Sequence, residues 1–214
     1  MTRSQIILVA LLFVSFCSFG QKKRSKGLSL AEMDRLYNIS QKHSKCFFNG
    51  KFTADERRTF LPFNHAAEVR LISYKWNIPR EANDPDSLPV FIPVAQNAFA
   101  INQLKLEEQK TLSNAGIDSL TNIFFNYGYT PVRSKNAYIL EDAMSCYEPH
   151  NAVVFLDADG KVVYYFDVCF SCLRHNWSTP KVKNVIYCDG KYELLRKFFA
   201  SQGVIYGTKR LHSD

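Results

Sequence analysis

The apolar positions of this chain change period several times, and each change marks an element. In "SLAEMDRLYNISQKH", Leu30, Met33, Leu36 and Tyr37 recur at helical intervals behind Ser29 and Glu32, which are spaced as a capping box. This pattern predicts a helix from about residue 29 to 44. "AEVRLISYKW" is apolar on both parities, at Val69, Leu71, Ile72, Tyr74 and Trp76, as in a strand buried on both faces. Pro79, Pro85, Pro89 and Pro93 predict a long loop over residues 78–93, and "AFAINQLKL" carries a weaker strand pattern.

Helical spacing returns in "TLSNAGIDSLTNIFFNYG", with Ser113 as N-cap and Leu112 and Ile117 placed as a hydrophobic staple. Gly128 is the expected stop, and Ile117, Leu120, Phe124 and Tyr127 form one face. In "DGKYELLRKFFASQG", Asp189 is the expected cap, Tyr192, Leu195, Phe198 and Phe199 the buried stripe, and Gly203 the end.

Between these helices, "NAVVFLDADGKVVYYFDVCF" sets two β-rich runs around "DADG", a turn with Gly160 left-handed. The acidic residues end at Asp159 and Lys161 follows, so a hairpin turn is favoured over a calcium loop. If Leu156 pairs near Lys161, partner numbers sum to about 317. Cys169 and Cys172 then fall near Cys146, at the open end of the hairpin. Together these elements predict a single α+β domain, mixed in type. A small, largely antiparallel sheet contains the 152–170 hairpin and is packed by two or three helices, those near 113–127 and 189–202 among them.

The N-terminus changes the picture by setting the compartment. Residues 1–20 join Arg3, an apolar run from Ile6 to Phe16 and the small Ser18 and Gly20, the three parts of an export signal cleaved near Gly20. An uncleaved N-terminal membrane anchor is the alternative. A lipid-bearing Cys17 is disfavoured by the bulky Phe16 before it. No other segment reaches spanning length. The mature chain is therefore expected to be periplasmic or secreted, without stable membrane insertion, where disulfides form. The expected organisation is signal 1–20, basic linker 21–28, N-terminal helical segment 29–65, α/β domain 66–207 and tail 208–214.

Net charge is +7 over 214 residues. With Arg3, Lys22, Lys23, Arg24 and Lys26 set aside, 22 basic side chains face 20 acidic ones, so the surplus belongs mainly to the linker. No platform of interleaved basic and aromatic residues appears, and no nucleic-acid partner is expected. Glu141 and Asp142 fit a solvated turn better than an acid–base pair. Phosphate loops, nucleophile elbows and His-Glu-x-x-His are absent from the sequence.

"CYEPHNAVVFLDADGKVVYYFDVCFSC", with "CDGKYELLRKFFASQGVIYGT" and "AAEVRLISYKW", resembles a family of small exported bacterial proteins without an assigned activity. Its members carry a Cys-Tyr-x-Pro element, a hydrophobic hairpin and an Ile-Cys-Phe-x-Cys element. The likeness covers residues 66–207; His150 stands where members often have arginine. The resemblance implies that the cysteines form a site and implies no reaction.

Four chemistries compete for "DVCFSCLRH". Covalent haem needs histidine directly after the second cysteine, where Leu173 stands. A thioredoxin-type pair needs a following helix, and "LRHNWSTPKV" has no helical period, although Arg174 and His175 are suited to lowering a thiol pKa. A zinc site would join Cys169 and Cys172 to Cys146 with His150, His175 or Cys188. A disulfide staple suits the exported compartment, and the short loop from Cys169 to Cys172 favours a bond from Cys146 to either of them. Cys46 is not placed by this register. The sequence favours a structural staple or zinc site in a protein without an assigned reaction. A divergent thiol–disulfide oxidoreductase using Cys169 and Cys172 is the alternative.

Overall fold

A computed structural model describes residues 28–76, 88–139 and 146–209. The signal, most of the basic linker, Glu141 and Asp142 and the end of the tail lie outside the described residues. The chain forms two compact units, residues 1–35 and 36–214. In the first, Ser29 and Glu32 make the expected capping box at the start of helix α1 (Leu30–Ser44). The Glu32 N–H donates to the Ser29 hydroxyl at 3.2 Å, and the Ser29 N–H to the Glu32 carboxylate at 3.4 Å. Leu30 and Met33 of the expected apolar stripe are exposed.

The second unit is an α+β fold around a seven-stranded sheet in which every pairing is antiparallel. Its strands are β2 (Glu68–Tyr74), β3 (Phe91–Ala95), β4 (Ala98–Ile101), β5 (Leu106–Thr111), β7 (Asn151–Leu156), β8 (Val162–Cys169) and β9 (Arg174–Trp177). They run β3-β4-β8-β7-β2-β5, with β9 on the far half of the β8 edge. β1 (Cys46–Phe48) and β6 (Tyr127–Tyr129) form a separate pair. Helices α2 (Ala54–Arg58), α3 (Asn114–Phe125) and α4 (Lys191–Ser201) complete it.

Strand alternation gives the sheet two faces. Val69, Leu71, Val153, Phe155, Phe166 and Val168 face α3 and α4 and bury Leu120, Phe124, Leu195 and Phe199. At about 25 cal/mol per Å² of apolar surface, this cluster is the main source of stability. Ile72, Tyr74, Ala152, Val154 and Tyr165 belong to a second core on the opposite face, closed by Val90 and Phe91 of the edge segment.

The hairpin forms as expected, with Gly160 at φ 78°. Asp157 is consumed by the turn, its carboxylate accepting the N–H of Asp159 at 3.0 Å and of Lys161 at 2.9 Å. The register is two residues from the expected one: Asn151 pairs with Val168 and Phe155 with Tyr164. Four other expectations are corrected. Phe91–Ala95 is a strand rather than loop, and Pro93 is tolerated because β3 is a sheet edge. "AFAINQLKL" contributes to two strands, parted by a turn at Asn102–Lys105.

Gly128 does not stop α3. The helix ends at Phe125, where the Asn126 side chain bonds both the N–H and the carbonyl of Phe52, and Gly128 sits in β6. Asp189 does not cap α4; Gly190 does, at φ 94°, while the Asp189 N–H donates to the Ser44 carbonyl at 2.7 Å. Residues 36–65 are tied into the second unit by the β1–β6 pairing and by buried Arg57, which bonds Asp118 and Thr121 on α3.

Candidate functional site

The chain reverses after β8 through Phe170–Leu173 and returns as β9, with Arg174 opposite Cys169. Leu173 takes a left-handed φ of 52°, which costs a branched side chain about 1 kcal/mol and lets the turn close. The reversal carries Cys172 back over the strand end. The Cys169 and Cys172 α-carbons are 5.2 Å apart, within the ordinary range for a disulfide, and the two are bonded. The expected bond from Cys146 to one of them is thus replaced by one within the pair, because the strand turns back where the sequence suggested an open hairpin end.

Cys146 nevertheless arrives at the same place. Its Sγ lies 2.7 Å from Cys172 Sγ, while the Cys172 N–H donates to Cys169 Sγ at 3.2 Å. The Ser171 hydroxyl lies 3.3 Å from Cys169 Sγ. Cys169 and Cys172 are each 1% exposed, whereas Cys146 is half-buried and carries a free thiol.

Alternation puts Tyr165, Asp167 and Cys169 on the sheet face away from α3 and α4. Asp167 lies opposite Ala152, whose small side chain leaves room for a buried carboxyl. The Tyr147 hydroxyl, one residue from Cys146, donates to it at 2.5 Å. Burial pushes Asp167 up to about 6 from its ordinary 3.8, against the pull of Tyr147 and of the Asn176 backbone. Burial likewise raises Tyr147, Tyr165 and Tyr74, and the nearby Asp167 charge adds to each. The Tyr74 hydroxyl, fully buried, has no hydrogen-bond partner among the described residues.

The remaining expected site residues are elsewhere. Cys188 is bonded to Cys46 across 142 residues, and a parallel bridge between Lys45 and Asp189 aligns that pair. His175 pairs with Val168 and so takes the helix-facing side of the sheet, opposite to Cys169. Its ring stacks on Tyr187 at 3.6 Å, its Nδ1 shares a 2.7 Å hydrogen bond with the Tyr192 hydroxyl, and burial pushes it down to about 4. His150 Nδ1 lies 3.3 Å from the Tyr74 carbonyl, and its ring packs on Tyr206. Of the expected set, Cys146, Cys169 and Cys172 converge and Cys188 and His175 do not. Among the described residues, no group of three or more His, Cys, Asp or Glu side chains is arranged to hold a metal ion.

Sequence reasoning missed the Tyr147–Asp167 pair and the Cys46–Cys188 bond. The first had a signal, an acidic residue in the apolar run "VVYYFDVCF". The second had none, because it depends on a contact over 142 residues.

No family model, curated protein or solved structure matches this chain. Fold and side chains define its class: a small α+β protein with a buried disulfide and a free thiol in contact with it.

Proposed function

We propose that this protein is exported, loses residues 1–20, and acts in an oxidising compartment as a thiol–disulfide exchange protein through Cys146, Cys169 and Cys172. The observation that carries the reading is the 2.7 Å contact between the Cys146 thiol and Cys172 Sγ. A nucleophile held this close to its target needs no diffusional encounter, and such proximity can supply about 7–11 kcal/mol of a barrier. Exchange requires the thiolate to attack a disulfide sulfur and displace its partner. Here the sulfurs already stand in that order. The structural role expected of the cysteines passes to Cys46–Cys188, which joins β1 to the start of α4. Two disulfides suit an oxidising compartment, and no helix among the described residues is long and apolar enough to cross a membrane.

The test is oxidation of a reduced peptide carrying two cysteines by the mature protein in a single turnover. The wild type is expected to form the peptide disulfide stoichiometrically, and Cys146→Ser to slow this at least about a hundredfold, a small part of the proximity effect. Equal rates for the two proteins, or no peptide oxidation by the wild type, would overturn the reading and leave the three sulfurs a static staple.

A further inference from the structure

We infer that the three sulfurs have distinct roles, with Cys146 meeting the outside partner and Cys172 resolving the adduct, and that this makes the centre selective for dithiols over monothiols. The inference rests on the exchange reading above and goes beyond it by naming the order of the sulfurs and the class of partner. Cys169 and Cys172 are each 1% exposed, so an external thiolate reaches neither without opening the fold. Cys146 is half-buried and borders solvent.

The steps follow from that difference. The Cys146 thiolate attacks Cys172 Sγ; the Cys146–Cys172 bond forms, the Cys169–Cys172 bond breaks, and Cys169 leaves as the thiolate that takes up the proton lost by Cys146. This step is redox-neutral, with one disulfide before and one after. The disulfide now includes the accessible sulfur. An external thiolate attacks Cys146 Sγ, forming a mixed disulfide and releasing Cys172 as a thiolate.

Two nucleophiles then compete for the adduct. Cys172, in contact with Cys146 at 2.7 Å, attacks Cys146 Sγ and expels the outside thiolate, which restores the Cys146–Cys172 bond. The second thiol of a dithiol instead attacks the partner's own sulfur and expels Cys146 as a thiolate. The dithiol loses two electrons and two protons and becomes a disulfide, and the protein gains two thiols. A monothiol must perform this last step from bulk solution, at millimolar concentration, against a neighbour whose effective concentration is on the order of molar or far above. Its adducts are expelled before they are resolved outward.

The experiment uses the mature protein with glutathione or dithiothreitol at equal total thiol, followed by acid quench and peptide mass mapping. Dithiothreitol is expected to open the centre at least about tenfold faster than glutathione, with no glutathione left on Cys146. In a second arm, Cys169→Ala and Cys172→Ala are reduced, desalted and given oxidised glutathione. Cys169→Ala is expected to end with a Cys146–Cys172 bond and no adduct, and Cys172→Ala to keep one glutathione on Cys146; Cys169→Ser and Cys172→Ser repeat the test should an alanine variant fail to fold. Equal opening by the two reagents, or equal retention of glutathione by the two variants, would overturn the inference while leaving exchange standing. Failure of both reagents to open the centre in the folded wild type would overturn the exchange reading itself.

Discussion

Asp167 and His175 sit on neighbouring strands and opposite faces, and their buried environments pull the pH dependence of stability in opposite directions. Asp167 is raised to about 6 from 3.8, so between those values the folded chain holds a proton the unfolded chain has lost. Its contribution is present below about pH 4 and is lost as pH rises through 6. His175 is lowered to about 4 from 6.5, so there the unfolded chain holds the extra proton. Its contribution is present above pH 6.5 and is lost as pH falls through 4. The slopes offset each other over the shared interval, and single substitutions should expose them. Measured by urea unfolding from pH 4 to 6.5, Asp167→Asn should gain roughly 1–2 kcal/mol on the wild type as pH rises, and His175→Phe should lose a similar amount. Curves that stay parallel to the wild type would contradict both assignments. At this scale the cysteines of the site were legible in the sequence, since Cys146, Cys169 and Cys172 meet even with the register two residues off. The side taken by His175 was not, because it follows from β9, a four-residue strand whose sequence alternates only weakly.

Several elements with local signals were read correctly, and those defined by distant partners were not. The Ser29 and Ser113 caps, the Gly160 turn and the Gly203 stop each act within a few residues and are found as expected. β5 reads "LEEQKT" and shows no apolar alternation, because as a sheet edge it exposes most of its side chains. The start of α4 depends on partners far away in the chain. Lys191, fully buried, donates from Nζ to the carbonyls of Ile123, Phe124 and Tyr127, closing the end of α3. Burial lowers its ammonium to about 7, against which the three carbonyls hold the charged form. Three residues before it, Cys188 carries the bond to Cys46. Opening this bond by Cys46→Ala with Cys188→Ala should cost roughly 4–5 kcal/mol, the chain-entropy value for so long a loop, seen as a lower urea midpoint. The same variant should oxidise the dithiol peptide at the wild-type rate at temperatures where it is folded. A loss of exchange in the folded double variant would show that the two disulfides do not have the separate roles assigned to them.

Across the whole molecule, the sheet separates two tasks. The face under α3 and α4 is filled by large apolar and aromatic side chains, and there His175 serves as an aromatic packing residue. The other face carries Tyr165, Asp167 and Cys169 along one strand, with Tyr147 brought against Asp167 and Cys146 against Cys172 from the segment before β7. The fold class followed from the order of periodicities, while the number of strands did not, since the two edge strands are short, polar or proline-bearing. The central claim is that the three sulfurs exchange. Its most direct measurement is a disulfide map of the mature wild type held near pH 8 without reductant, quenched in acid, alkylated and read by peptide mass. The expected result is Cys46–Cys188 as the sole partner of either residue, with Cys169–Cys172 and Cys146–Cys172 both present and the remaining thiol divided between Cys146 and Cys169. A map holding only Cys169–Cys172, with Cys146 always free, would contradict the account.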